Sequence, residues 1–207
     1  MKHFTLHAAT NHGPVYSESN NADGSGWSNT LTTKVKSVGA IHGPWGNDAK
    51  QVSKTITIPA FASECIVNWR SWQMDSRDHE ADRLRIDGKV VWQKAATYGC
   101  TAGHWKHGPS DVPNPWGGKS DVCYVDVSVD VPCAKHMLVE FESDINQPKN
   151  DESWAFSNFE VYPKRTLAVI YQENGAKTTG WSNAEVRPVS RKLHLSASLC
   201  LVGTWTW

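Results

Sequence analysis

Along this chain apolar residues recur at every second position over short runs, and Gly, Pro, Asn and Asp separate the runs. From Cys123 to Val131, Val125, Val127, Val129 and Val131 alternate with Tyr124, Asp126, Ser128 and Asp130, which predicts a strand with one wet face. Val52 to Ile58 alternates in the same way. Cys65–Trp69, Met137–Phe141 and Phe156–Val161 are further strand candidates. Leu84 to Trp92 reads as a hairpin, with Asp87-Gly88 as a two-residue turn whose glycine accepts positive φ. No stretch shows a capped 3.6-residue apolar period. Many short strands between turn residues predict a sandwich or barrel. Loops are expected at Gly39–Asp48, Thr97–Lys119 and Asp144–Asp151, and the second, rich in Gly and Pro, is expected to be pinned to the surface.

Two acidic segments stand out against this pattern. The first, Ser71 to Asp82, carries Asp75, Asp78, Glu80 and Asp82, and the second, Ser143 to Trp154, carries Asp144, Asp151 and Glu152. Each follows an alternating run that begins with Ile58-Pro59 or Val131-Pro132 and leads into another. Carboxylates gathered at strand ends among Asn and backbone carbonyls are the donor set of a hard cation such as calcium. Four carboxylates in eight residues repel one another unless a cation or basic groups intervene. The candidate ligands are Asp75, Asp78, Glu80, Asp151 and Glu152. The alternative neutralisers are Arg77, Arg83 and Arg85. The spacing is not that of an EF-hand.

Charge narrows the function classes. Lys and Arg number 21, Asp and Glu 21, and the formal net charge is zero. Broad electrostatic binding to nucleic acid is not expected. No apolar run approaches the ~18 residues of a membrane span, so membrane insertion is not expected either. Met1 to Thr10 lacks the apolar run of a secretory leader. A secreted reading therefore implies a module taken from a longer protein.

The five cysteines form no Cys-x-x-Cys pair, which leaves out zinc ribbons and thioredoxin-type sites. Four of them suggest two disulfides in an oxidising compartment. Cys100–Cys123 would close the Gly- and Pro-rich loop, and Cys65–Cys133 follows by elimination. The alternative is a set of buried free thiols.

Trp accounts for 11 of 207 residues, more than Tyr and Phe together. Most are expected to plug the core, but Trp45 and Trp105 fall in expected loops beside Asn47, Asp48 and His104. That is a sugar-binding composition, in which an indole stacks on a sugar face while polar neighbours bond hydroxyls. Trp116 lies in the same long loop and is expected to cover the sandwich end. His104 and His107, with His42 elsewhere, supply too few ligands at a diagnostic spacing for zinc. No Gly-x-Ser-x-Gly elbow, P-loop or Gly-x-Gly-x-x-Gly occurs, and an enzyme is not expected.

A longer repeat is also present. Tyr16-Ser17-Glu18-Ser19-Asn20 precedes Gly26-Trp27-Ser28-Asn29, and Tyr171-Gln172-Glu173-Asn174 precedes Gly180-Trp181-Ser182-Asn183. A separation of about 155 residues is a domain length. One module over 1–165 and the start of a second over 166–207 are expected, the likeness fading after Val186.

The run Trp72-x-x-Asp75-Ser76-x-Asp78-x-Glu80, with Ile86-Asp87-Gly88 and Val91-Trp92 after it, resembles a motif of extracellular modules in protists and bacteria. There a strand ends in Asp-Ser-Trp-Asp-x-Glu and a hairpin follows. Asp151-Glu152-Ser153-Trp154-Ala155-Phe156-Ser157-Asn158-Phe159 resembles their Asp-Glu-Ser-Trp-Gly-Ile-x-Asn-Val signature. The resemblance covers about Trp45 to Tyr162 and departs at Arg77, where the motif has Trp, and at Ala155, where it has Gly. It implies an all-β, jelly-roll sandwich akin to galactose-binding domains, associated with calcium and adhesion in repeat-bearing surface proteins. The expected function is a non-catalytic, extracellular or cell-surface binding module, calcium-stabilised, with a glycan or cell-surface glycoprotein as partner and tandem copies beside it. The alternatives are a structural spacer of a surface coat and an accessory domain of a carbohydrate-active enzyme.

Overall fold

Among the described residues, twelve strands fall into two antiparallel sheets, eight in one and four in the other. A computed structural model describes residues 9–11, 13–19, 21–100, 104–112 and 122–166. The strands are β1 (Ala9–Asn11), β2 (Tyr16–Ser17), β3 (Thr32–Val35), β4 (Gly39–Trp45), β5 (Gln51–Thr57), β6 (Glu64–Asp75), β7 (Ala81–Ile86), β8 (Lys89–Ala95), β9 (Lys106–His107), β10 (Val122–Pro132), β11 (His136–Ser143) and β12 (Glu152–Thr166). The large sheet runs β3-β4-β12-β6-β10-β9, with β1 and β2 also paired to β12. The small sheet runs β5-β11-β7-β8. The chain crosses between sheets at β4–β5, β5–β6, β6–β7, β8–β9, β10–β11 and β11–β12. This is the expected all-β sandwich of two antiparallel sheets with jelly-roll-like crossovers, with no helix among the described residues.

Alternation sets the core. In β6 and β10, Cys65, Val67 and Trp69 face Val131, Val129 and Val127 in register and point at the small sheet. From the other side come Val52, Ile56, Leu84, Ile86, Met137, Val139 and Phe141. The far half of β6 is covered on both faces, because Trp72 and Met74 pack under Val35, Ile41, Val112 and Val122 on the outside. Asp87 and Gly88 adopt φ of 50° and 77°, the turn expected between β7 and β8. Cys65–Cys133 joins the start of β6 to the turn between β10 and β11, and Cys100–Cys123 ties the long loop to β10. The expected start of a second copy over 166–207 lies outside the described residues apart from Thr166, as does Trp116.

Candidate functional site

The two acidic segments meet at one end of the sandwich. β6 and β12 are neighbours, and their register sets Glu152 directly opposite Asp75. After Asp75 the chain turns through left-handed residues, Asp75 at φ 70° and His79 at φ 81°. These are sparsely populated conformations for residues with a Cβ. The turn is closed by the Asp78 N–H, which donates to Glu80 Oε2 at 2.9 Å. Asn146 Nδ2, from the second segment, donates to Glu80 Oε1 at 3.1 Å. Asn146 was not singled out by sequence, although the Asn-rich turn that carries it was.

Three carboxylates result in one place. One oxygen from each of Asp78, Glu80 and Glu152 lies within 4.8 Å of the others. Opposite ligands of one calcium ion are separated by about twice ~2.4 Å, so the span suits a shared ion. Glu152 is 1% exposed, and its Oε2 is buried without a hydrogen-bond partner. Burial, with the Glu80 and Asp78 charges beside it, pushes the Glu152 carboxyl up to about 7. Asp75 and Asp151 lie outside this group. The Asp151 N–H donates to Pro148 O and shapes the turn that delivers Glu152.

The three arginines neutralise other acids. Arg77, with 0% exposure, bonds Asp82 at 2.9 Å, Ser143 Oγ at 2.9 Å and the Glu80 carbonyl at 3.3 Å. Burial outweighs Arg77 at Asp82 and raises its pKa. Arg83 pairs with Asp144 and Arg85 with Glu142. Among the described contacts no arginine bonds a carboxylate of the trio. Three carboxylate oxygens, with no His or Cys ligand in the group, form a hard-cation donor set.

The tryptophan loops are placed differently from expectation. Trp45 is not in a loop. It ends β4 at 1% exposure, against Trp154 and Phe156. Trp105 is 5% exposed and packs on Cys100 and Cys123, its Nε1 donating to Ala95 O. Neither indole has a free face for a sugar, because each fills a gap that the sheets or the disulfide loop leave. Asn47 and Asp48 are turn pins. The Asn47 N–H donates to Gln147 O and its side-chain amide to Asn146 O, while Asp48 Oδ1 accepts from the Gly46 N–H. His104 is an exposed turn residue with φ 63°. His42 is in the core, stacked on Phe156 and bonded to Glu18, remote from any zinc role with His104 or His107.

No protein-family model matches this chain, and no curated protein does. Among solved structures it is similar to dimeric latent PorU from Porphyromonas gingivalis, with TM-score 0.44 and 8% identity, covering 86% of this chain and 15% of that one. It is also similar to the C-terminal CBM6 of LamC, a marine laminarinase from Zobellia galactanivorans, with TM-score 0.36 and 15% identity, covering 76% of this chain and all of that one. The chain thus spans about 15% of the length of the first of these relatives.

Proposed function

We propose that this chain is a non-catalytic, extracellular binding and adhesion module whose sandwich is stabilised by calcium and whose ligand is a glycan. The observation that carries the calcium reading is the buried, unpartnered Glu152 oxygen among the Asp78 and Glu80 carboxylates. Three like charges in contact are unfavourable without a counter-ion. A calcium ion held by Asp78, Glu80 and Glu152 would keep all three ionised and clamp the first turn to β12. The two disulfides fit an oxidising compartment.

Isothermal titration tests the metal. Calcium should bind with one-to-one stoichiometry, and Glu152→Gln should abolish the heat while leaving the fold intact by circular dichroism. Failure of calcium to bind at millimolar concentration contradicts the reading.

A second observation favours tandem copies, as in a surface-coat spacer. Tyr16, Glu18 and Trp27, which the repeat shares with Tyr171, Glu173 and Trp181, bond one another in the first copy. The repeated residue types are thus those of a side-chain network in the first copy, which supports the tandem reading.

A further inference from the structure

β12 is the central strand of the large sheet, yet its pairing with β6 slips between Ser157 and Glu160. Asn158 there has φ of 54°, a left-handed conformation costly for a residue with a Cβ. Bulges of this kind re-aim side chains and occur beside binding sites. This one turns both Phe156 and Phe159 inward, which a regular strand would send to opposite faces. It also opens a cavity of about 330 Å³ on the outer face, away from the small sheet and from the acidic turns. The cavity is lined by Asn68, Asp126, Ser128, Asn158 and Glu160, with Trp69 and Val127.

The lining is chemically selective. The Asn68 side-chain oxygen is buried with no donor to satisfy it. Glu160 is held in place by Ser17, Ser19 and the Tyr162 hydroxyl, and Asp126 by Arg70 at 2.6 Å and Lys106 at 3.5 Å. The carboxylates are thus fixed acceptors, and the nearest guanidinium is engaged with Asp126. Ser128 is exposed and carries a rotatable hydroxyl. Acceptors in excess and small polar groups match a ligand rich in O–H donors. They disfavour an anion.

We infer that this outer-face cavity is the glycan site, and that it takes a neutral pyranose in preference to a sulfated or uronic-acid sugar. The inference rests on the reading of the chain as a glycan-binding module and gives that reading its location and ligand class. A sugar hydroxyl would donate to the Asn68 oxygen. Its ring would sit in the cavity, whose volume is near the small end of ligand pockets.

The test is a glycan array on the whole chain, followed by titration of the neutral oligosaccharide that gives the strongest signal. Asn68→Ala should weaken that binding about tenfold or more, since a buried hydrogen bond is lost. Ser128→Tyr, on an exposed position, should block the cavity while thermal unfolding and the calcium response stay as in the parent. Amide shifts on titrating the sugar should centre on Asn68, Ser128 and Asn158. Neutral-glycan binding that survives both substitutions, with shifts elsewhere, overturns the site but not the module. Preference for acidic glycans overturns the ligand class. No binding to any glycan overturns the glycan reading as well.

Discussion

The Trp27 indole donates to Glu18 Oε1 at 3.0 Å, inside a core otherwise made of aromatic and aliphatic side chains. The same carboxylate accepts from the Tyr16 hydroxyl and meets His42 Nε2. Lys54 in turn donates to the Tyr16 hydroxyl at 2.5 Å and lies over the Tyr16 and Trp27 rings. One buried acid thereby anchors the segment that precedes β3 to strands of both sheets. Such a group is tolerable only when fully bonded, and removing it leaves several partners orphaned.

Glu18→Ala is therefore expected to destabilise the sandwich by about 3–5 kcal/mol, measured by urea unfolding. Burial works against ionisation of Glu18, but the bonds from His42, Trp27 and Tyr16 together hold its pKa below the ordinary 4.5. Its folded value is depressed, so its contribution is present above pH 4.5 and lost as pH falls through the folded value. The stability gap between the parent and Glu18→Gln should be constant from about pH 6 to 8 and should narrow only on the acid side of 4.5. A gap that does not change with acid would contradict the assignment.

Arg77 should behave as a structural ion-pair partner. Arg77→Met strands Asp82, at 3% exposure, without its cation, at a cost of about 3–5 kcal/mol. Arg77→Met with Asp82→Asn should recover much of that loss, because the two sites are coupled. Additive losses in the double-mutant cycle would show that the pair does not act as one.

Gly46 fixes the approach of two turns. A Cβ there would sit 2.1 Å from the Lys149 nitrogen and 2.7 Å from the Pro148 carbonyl carbon. Gly46→Ala should cost about 1–3 kcal/mol by forcing the backbones apart. Because the 148–151 turn delivers Glu152, calcium affinity should fall with it. Unchanged stability and affinity on calorimetry would show that the turns can separate freely.

The sheets were legible in sequence because half-buried strands write their two faces as alternation. β10 and the β7–β8 hairpin were readable almost residue by residue. β6 was read short, ending at Trp69, because from Trp72 onward both faces are covered and alternation fails. The acidic turns were visible as composition, but their convergence was not. It depends on β6 and β12 being neighbours, a long-range pairing that the local pattern does not encode. The Trp45 and Trp105 expectation failed for a related reason. A Gly- and Pro-flanked tryptophan looks exposed until the strand or disulfide that covers it is known. The outer-face cavity left no local signal, since it arises from a one-strand bulge. The departure at Arg77 was visible, and the structure assigns it to Asp82.

The most direct measurement is thermal unfolding of the protein in excess calcium and in EGTA, for the parent and for Glu152→Gln. Calcium at ~100 times Kd adds about 2.7 kcal/mol to the native state, a rise of several degrees in Tm for a chain of this size. The account predicts that rise in the parent and its loss in Glu152→Gln. It also predicts that Glu152→Gln is at least as stable as the parent in EGTA near pH 8, where the substitution removes repulsion among Asp78, Glu80 and Glu152. No shift at millimolar calcium, or a full shift retained by Glu152→Gln, would contradict the calcium-clamped sandwich.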